Sequence, residues 1–165
     1  MVDTVGLQVP GEEDASFMYE VYAETKRPEL EALGWPEQQI ETFIRMQYEV
    51  RERANSERYP MSDTLLIRVE DRYAGKITTA LTSDEIVLAD IALLPSYRNR
   101  GIGTALVRSL QSAASDLDKP LRLQMVQGDP SETFYRRLGF TVKRNQFPYC
   151  SLEWRQSKQA MSAIG

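Results

Sequence analysis

The segment YRNRGIGTAL, Tyr97–Leu106, sets two glycines and two arginines directly behind the apolar run IVLADIALLP, Ile86–Pro95. An extended pattern gives way there to a helical one, because Ile102, Leu106, Leu110, Ala113 and Leu117 recur at helical spacing along GIGTALVRSLQSAASDL. A strand that turns through glycines into a helix leaves the helix's first N–H groups and the positive end of its dipole facing outward. The charge pattern fits such a corner. Residues 91–115 contain no acid, and Arg98, Arg100 and Arg108 are their only charges, although 24 acids in 165 residues would put about three or four in a window of that length. The simplest reading is a phosphate cradle, in which glycine lets backbone amides come close to an anion. Two familiar phosphate patterns are not met: Leu106 stands where the dinucleotide fingerprint needs its third glycine, and no Gly-Lys-Ser/Thr follows for a P-loop.

Working outward from this corner, the period of the apolar residues divides the chain into elements. TVGLQVP, residues 4–10, reads as a strand, and Phe17, Met18, Val21 and Tyr22 then recur at helical spacing in a helix expected to end at Pro28. A long second helix begins at Pro36, with Ile40, Phe43, Ile44, Gln47 and Val50 on one face and Pro60 just beyond its end. Residues 63–95 hold three strand-like runs separated by EDR and TSDE, an antiparallel meander. Beyond the helix at the glycine corner come a strand LRLQMV, a short helix in DPSETFYRRLGF, and two last strands in TVKRN and YCSLEW. The short helix carries its own ends: Asp129 to cap, Pro130 at the first position, Glu132 for a capping box and Gly139 for the left-handed C-terminal position. The order βααβββαβαββ describes a mixed α/β fold with a mostly antiparallel central sheet flanked by helices.

Composition narrows the chemistry. Histidine is absent and Cys150 is the only cysteine, which excludes an internal disulfide, a Cys/His zinc site and every histidine-based triad; no metal is expected. A catalytic base must then be a carboxylate, lysine, tyrosine or water. The net charge of −4 argues against nucleic acid as a partner, with a faint bias toward cationic small molecules or basic peptides. Asp90 interrupts the longest apolar run and the N-terminus lacks a basic segment followed by an apolar one, so no membrane association and a cytoplasmic location are expected.

RNRGIG, Arg98–Gly103, resembles the Arg/Gln-x-x-Gly-x-Gly/Ala signature of the Gcn5-related N-acetyltransferases (GNAT), and FYRRLGF, Phe134–Phe140, is similar to the second signature of that family. With the element order, the resemblance spans about Thr4 to Trp154. It implies a GNAT-like fold that binds acetyl-CoA, a single N-acetyltransferase domain over residues 1–155, and a flexible tail over 156–165. It also implies that the backbone of Arg98, Asn99, Arg100, Gly101, Ile102, Gly103 and Thr104 holds the cofactor pyrophosphate. Ala92, Leu93 and Leu94 would pair with the pantetheine arm, with a bulge near the proline opening the sheet. Asp129 stands where the family often has asparagine, so its capping role competes with a pantetheine contact.

Amine acetylation requires a neutral amine at the thioester carbon, a donor for the developing oxyanion and a proton for the leaving thiolate. Tyr135 resembles the family tyrosine that approaches the cofactor sulfur and is the candidate acid; packing alone is the competing role. Asp90, a lone charge in an apolar strand and on the same face as Leu88 and Ala92, is the candidate base. A structural carboxylate bonded to backbone or to a basic partner explains it equally well. Glu85 is the alternative base, although its turn position suggests solvation, and a water relay is a third route. The resemblance puts the acceptor pocket among the first two helices and the meander, with Tyr22, Gln47 and Tyr59 as candidate substrate contacts and Trp35 and Tyr149 as further wall residues.

The leading expectation is transfer of acetyl to the primary amine of a small molecule. A protein or peptide N-acetyltransferase, and a non-catalytic acyl-CoA-binding module, are the alternatives. A homodimer is a further expectation, for which the final apolar strand in FPYCSLEW could pair with a partner chain, although a position inside the sheet would look the same.

Overall fold

The structure, a computed structural model, describes residues 4–157; the expected tail lies outside the described residues from 158 onward. Seven strands, β1 (Val5–Gln8), β2 (Asp63–Val69), β3 (Arg72–Leu81), β4 (Ile86–Leu93), β5 (Leu121–Val126), β6 (Thr141–Gln146) and β7 (Tyr149–Trp154), join in the order β1-β2-β3-β4-β5-β7-β6. Four helices accompany them: α1 (Ala15–Ala32), α2 (Glu37–Arg58), α3 (Ile102–Leu117) and α4 (Ser131–Arg137). The expected element order is the observed one. The chain packs as two compact units, one taking in the chain to Thr78 with Asp90–Ile102, the other Thr79–Ala89 with the chain from Gly103.

In the first unit, α1 runs straight through Pro28, contrary to expectation. Pro28 removes one backbone bond, but Leu30 beyond it is buried in a cluster with Tyr19, Tyr22, Ala23, Ile40 and Ile44, and that packing holds the last turn. The stop signal is Gly34, at φ +78: its N–H donates to Glu31 O at 2.9 Å and that of Trp35 to Leu30 O at 3.3 Å, the paired bonds of a Schellman end. On α2 the apolar face is buried only at Ile40 and Ile44; Val50, expected on it, is 59% exposed.

The meander turns where expected. A two-residue connection with Glu70 at φ +57 joins β2 to β3, and at the next turn the Thr82 hydroxyl accepts the N–H groups of Asp84 and Glu85. Two backbone bonds then measure the β3–β4 pairing, Thr82 N–H to Glu85 O at 2.9 Å and Leu94 N–H to Ala74 O at 2.8 Å. From the first bond to the second, β3 runs back eight residues and β4 forward nine, so β4 holds one extra residue between Glu85 and Leu94. The Ala92 carbonyl lies so close over Gly75 that a Cβ there would collide with its oxygen.

In the second unit, β5 pairs in parallel with β4 over Ile86–Leu88 and antiparallel with β7 along its whole length. Within this unit α3 buries Leu106, Val107 and Ala114, whereas Leu117, expected in the stripe, is 49% exposed. Glu153 on β7 is buried and accepts from Arg122 Nε at 2.9 Å, with Lys143 Nζ at 3.3 Å and Arg155 Nε at 3.6 Å. Burial alone would raise the Glu153 carboxyl, but hydrogen bonds from Arg122 and Lys143 and the charges of Arg122 and Arg155 hold it below the usual glutamate value.

Because that value is depressed in the folded state, the stabilisation from Glu153 is complete above the unfolded value near about 4.3 and is lost as pH falls through the folded one. Glu153→Gln is expected to lower Tm at pH 7 by roughly 5 °C, with the gap to wild type closing below about pH 4 in acid melts. Two glycine substitutions should separate in denaturant midpoints. Gly101→Ala meets open space but a positive φ and is expected to cost about 1 kcal/mol, whereas Gly75→Ala collides with backbone and is expected to cost about 3 kcal/mol.

Candidate active site

β4 leads into a short 3-10 turn, Pro95–Tyr97, and the chain then passes Asn99 at φ +60 and Gly101 at φ +80 before α3 begins at Ile102. Both positive angles are needed to swing the chain from strand into helix within so few residues, and glycine takes the second without a side-chain penalty. The side chains of the basic corner brace this loop. Arg98 Nε donates to Leu93 O at 3.0 Å; Arg100 Nη1 reaches Ser96 O at 3.4 Å, and its guanidinium lies 5.2 Å from the Tyr97 ring centre. The Arg98 N–H already donates to Pro95 O at 3.2 Å, so of the amides expected to face an anion this one closes the turn instead. The first four N–H groups of α3 have no acceptor within the helix. A Cβ at Gly101 would meet nothing within 4 Å, and one at Gly103 only Phe134 Cζ at 3.6 Å. This donor-rich, acid-free and sterically open backbone fits a diphosphate.

Ala92, Leu93 and Leu94 form the braced end of β4: the Ala92 carbonyl lies over Gly75, the Leu93 carbonyl accepts from Arg98, and the Leu94 N–H is donated to Ala74.

Asp90, two residues earlier, sits in a cluster of charges. Its Oδ1 accepts from Arg51 Nη2 at 2.8 Å, and its Oδ2 lies 3.7 Å from Lys76 Nζ, which is also 3.6 Å from Glu52 Oε1 and 5.0 Å from the centre of the Tyr48 ring. The basic partner that the sequence left open is thus a pair, Arg51 from α2 and Lys76 from β3. Tyr22 is buried against Tyr48, with ring centres 5.3 Å apart. Burial raises the Tyr22 hydroxyl; Arg51 opposes that and Asp90 adds to it. Burial, then Glu52 and Asp90, push Tyr48 up to about 12. Of the other acceptor candidates, Gln47 is half-buried on α2 and Tyr59 forms that helix's C-cap, with the Arg58 guanidinium 5.2 Å from its ring. Trp35 packs edge-on against Phe43, and Tyr149 is half-exposed opposite Val126. Glu85, partly exposed at its turn, pairs with Arg122, whose Nη1 lies 2.7 Å from its Oε2.

The second unit holds Gly103, Thr104, Asp129 and Tyr135. Tyr135 is 6% exposed, its ring packed edge-on between Phe134 at 5.0 Å and Phe140 at 5.4 Å. Asp129 Oδ1 accepts from both the N–H and the hydroxyl of Ser131, at 2.8 and 2.7 Å, which is the expected cap, with Pro130 in helical conformation behind it. The capping box is not formed: Glu132 pairs with Arg136 at 2.8 Å, one turn along, instead of reaching back. Gly139, at φ +96, takes the left-handed position as expected.

Lys76, Glu52, Tyr48 and Gly75 were not singled out from the sequence, and Arg51, which reads there with Arg53 and Arg58 as a solvated helix face, instead reaches Asp90. One signal was there: Lys76 in AGKITT is a lone charge in an apolar strand, as Asp90 is in the next strand, and opposite lone charges on neighbouring strands of a meander invite pairing. Among the described residues no cluster of histidine, cysteine or carboxylates could hold a metal, and no helix is long and apolar enough to cross a membrane.

The chain is similar in fold to the PaiA N-acetyltransferase of Thermoplasma acidophilum in complex with coenzyme A, at 19% identity over 93% of this chain and 99% of that one, with a TM-score of 0.69. It is similar to an acetyltransferase of Thermus thermophilus, at 18% identity, 93% and 97% coverage and a TM-score of 0.65. It is also similar to the N-acetyltransferase PseH of Campylobacter jejuni in complex with acetyl coenzyme A, at 11% identity, 93% and 100% coverage and a TM-score of 0.58. No curated protein matches the sequence. The family model described as "Acetyltransferase (GNAT) domain" matches residues 61–142, which run from the strand meander through the glycine turn to the second signature. Residues 61–142 are therefore a domain of the Gcn5-related N-acetyltransferase family, and the described chain has the GNAT fold.

Proposed function

We propose that this chain is a single-domain, acetyl-CoA-dependent N-acetyltransferase that moves an acetyl group to the primary amine of a small molecule by direct attack on the thioester. The observation that carries this reading is the acid-free turn with positive φ at Asn99 and Gly101, which opens onto the N-terminus of α3. The coenzyme A and acetyl coenzyme A complexes of the PaiA and PseH proteins support it. Bound there, acetyl-CoA supplies the activated acetyl group.

The chain's own residues would do the rest. Amides from Asn99 to Thr104 would hold the pyrophosphate, with Arg98 and Arg100 bracing the loop and adding positive charge. Ala92–Leu94 would align the pantetheine arm as a neighbouring strand does. Asp129 keeps the cap of α4 in place. Asp90 would take the proton that the amine loses as its nitrogen bonds the carbonyl carbon, and Tyr135 would give one to the sulfur as the carbon–sulfur bond breaks. Tyr22, Gln47 and Tyr59 would contact the acceptor. The acidic first sixty residues, with 13 acids against six bases, favour a cationic one.

Calorimetric titration with acetyl-CoA tests the reading. Wild type is expected to bind and Gly103→Glu, which sets a carboxylate in the first turn of α3, is expected not to; equal binding by the two would overturn the site. Tyr135→Phe is expected to lower kcat by about 100-fold with acetyl-CoA affinity unchanged; an unchanged kcat would remove Tyr135 from the chemistry.

A further inference from the structure

α4 has only seven residues, too few to hold a helix in water by themselves, so its neighbours decide where its side chains point. Its C-terminal end is closed by backbone bonds. The Phe140 N–H donates to Tyr135 O at 3.2 Å and the Gly139 N–H to Arg136 O at 3.0 Å, the bond pair of a Schellman end. The apolar contact that accompanies this motif is the one between the Tyr135 and Phe140 rings, with centres 5.4 Å apart. The C-cap carbonyl, that of Leu138, is satisfied from α3: Gln111 Nε2 donates to it at 2.8 Å. Gln111 is buried, and so are Val107 and Ala114, its apolar neighbours one turn to either side. An unpartnered amide would be costly there, so the bond to Leu138 is strongly favoured. α3 makes a second contact before Tyr135, because a Cβ at Gly103 would meet Phe134 Cζ at 3.6 Å. The two contacts bracket Tyr135.

We propose that Gln111 is a positioning residue for acetyl transfer: by holding Leu138 O it fixes the C-terminal end of α4, and with it the direction of the Tyr135 phenol. The inference rests on the reading of Tyr135 as the acid that gives its proton to the leaving sulfur. Gly103 and Gln111 stand eight residues apart on α3, about 12 Å along its axis. One helix therefore carries, in its first turn, amides offered to the pyrophosphate and, two turns on, the amide that sets the end of α4. Cofactor and acid are aligned against the same element. A shift of α4 by a fraction of its turn would leave the fold intact and still carry the phenol away from the sulfur, which is the kind of misplacement that costs rate and not cofactor affinity.

The test is a double-mutant cycle, read as thiol release from acetyl-CoA with lysine, spermidine and glucosamine together as probe amines. Gln111→Met, close in shape but without a donor, is expected to lower kcat about tenfold with KM for acetyl-CoA within about twofold of wild type. In a Tyr135→Phe background the same change is expected to cost less than about twofold, because the phenol it would displace is already gone. Gln111→Asn, whose amide falls one carbon short of Leu138 O, should behave like Gln111→Met and stands in for it should that variant not fold. Fluorine NMR of protein labelled with 3-fluorotyrosine, its Tyr135 line assigned with Tyr135→Phe, needs no acceptor. That line is expected to move or broaden in both Gln111 variants. Equal losses of kcat in the two backgrounds mark Gln111 as structural and overturn its role, as does an unchanged kcat or a Tyr135 line that stays in place. If Tyr135→Phe alone leaves kcat at the wild-type value, the reading of Tyr135 as the acid falls, and the positioning role with it.

Discussion

The structure turns on how β4 ends. One extra residue separates the bonds that pair this strand with β3, and the Ala92 carbonyl comes to rest against the bare Cα of Gly75. A side chain at that glycine would push the two strands apart at the point where β4 must run into the 3-10 turn and the glycine loop. The remaining polar groups of the strand end are then tied down locally, Leu94 to Ala74 and Leu93 to Arg98, which holds the loop to its strand. The start of α3 is thus set by backbone contacts and by the side chains of Arg98 and Arg100.

A diphosphate on such a corner needs little from side chains. Positive φ at Asn99 and Gly101 turns the backbone, and the helix supplies unpaired donors and its dipole. The arginines on either side of Asn99 spend part of their hydrogen-bonding capacity on the loop itself, so their proposed contribution to an anion is chiefly long-range charge. At Asp90, earlier in the strand, the proposed chemistry falls to side chains. The carboxylate of Asp90 is held by two cations from different elements, so α2 and β3 both enter its electrostatics.

The fold was legible because each element carries its own period and punctuation. The two glycine-and-arginine signatures lie at the right places, and the turns at Glu70 and Thr82 fall where polar residues break the apolar runs. The end of α1 was misread because Pro28 is a strong local breaker, yet burial of Leu30 beyond it outweighs one missing hydrogen bond and Gly34 makes the real stop. Val50 and Leu117 continue their helical stripes in sequence but lie past the surface each helix covers. For the candidate site, main-chain features were readable and partners were not. Asp90 stood out as a charge among apolar residues, whereas its tie to Arg51 spans 39 positions, and no local pattern encodes such a contact. Gly75 gave no signal either, because its role lies in the approach of another strand.

The central claim is that the backbone between β4 and α3 holds the cofactor. Amide hydrogen exchange with and without coenzyme A, resolved residue by residue, tests it most directly. The account expects slower exchange at the amides from Asn99 to Thr104 on binding, with a smaller effect at Leu93 and none at the Arg98 amide, which is already bonded to Pro95. Unchanged exchange across this turn, or protection confined to another part of the chain, would contradict it.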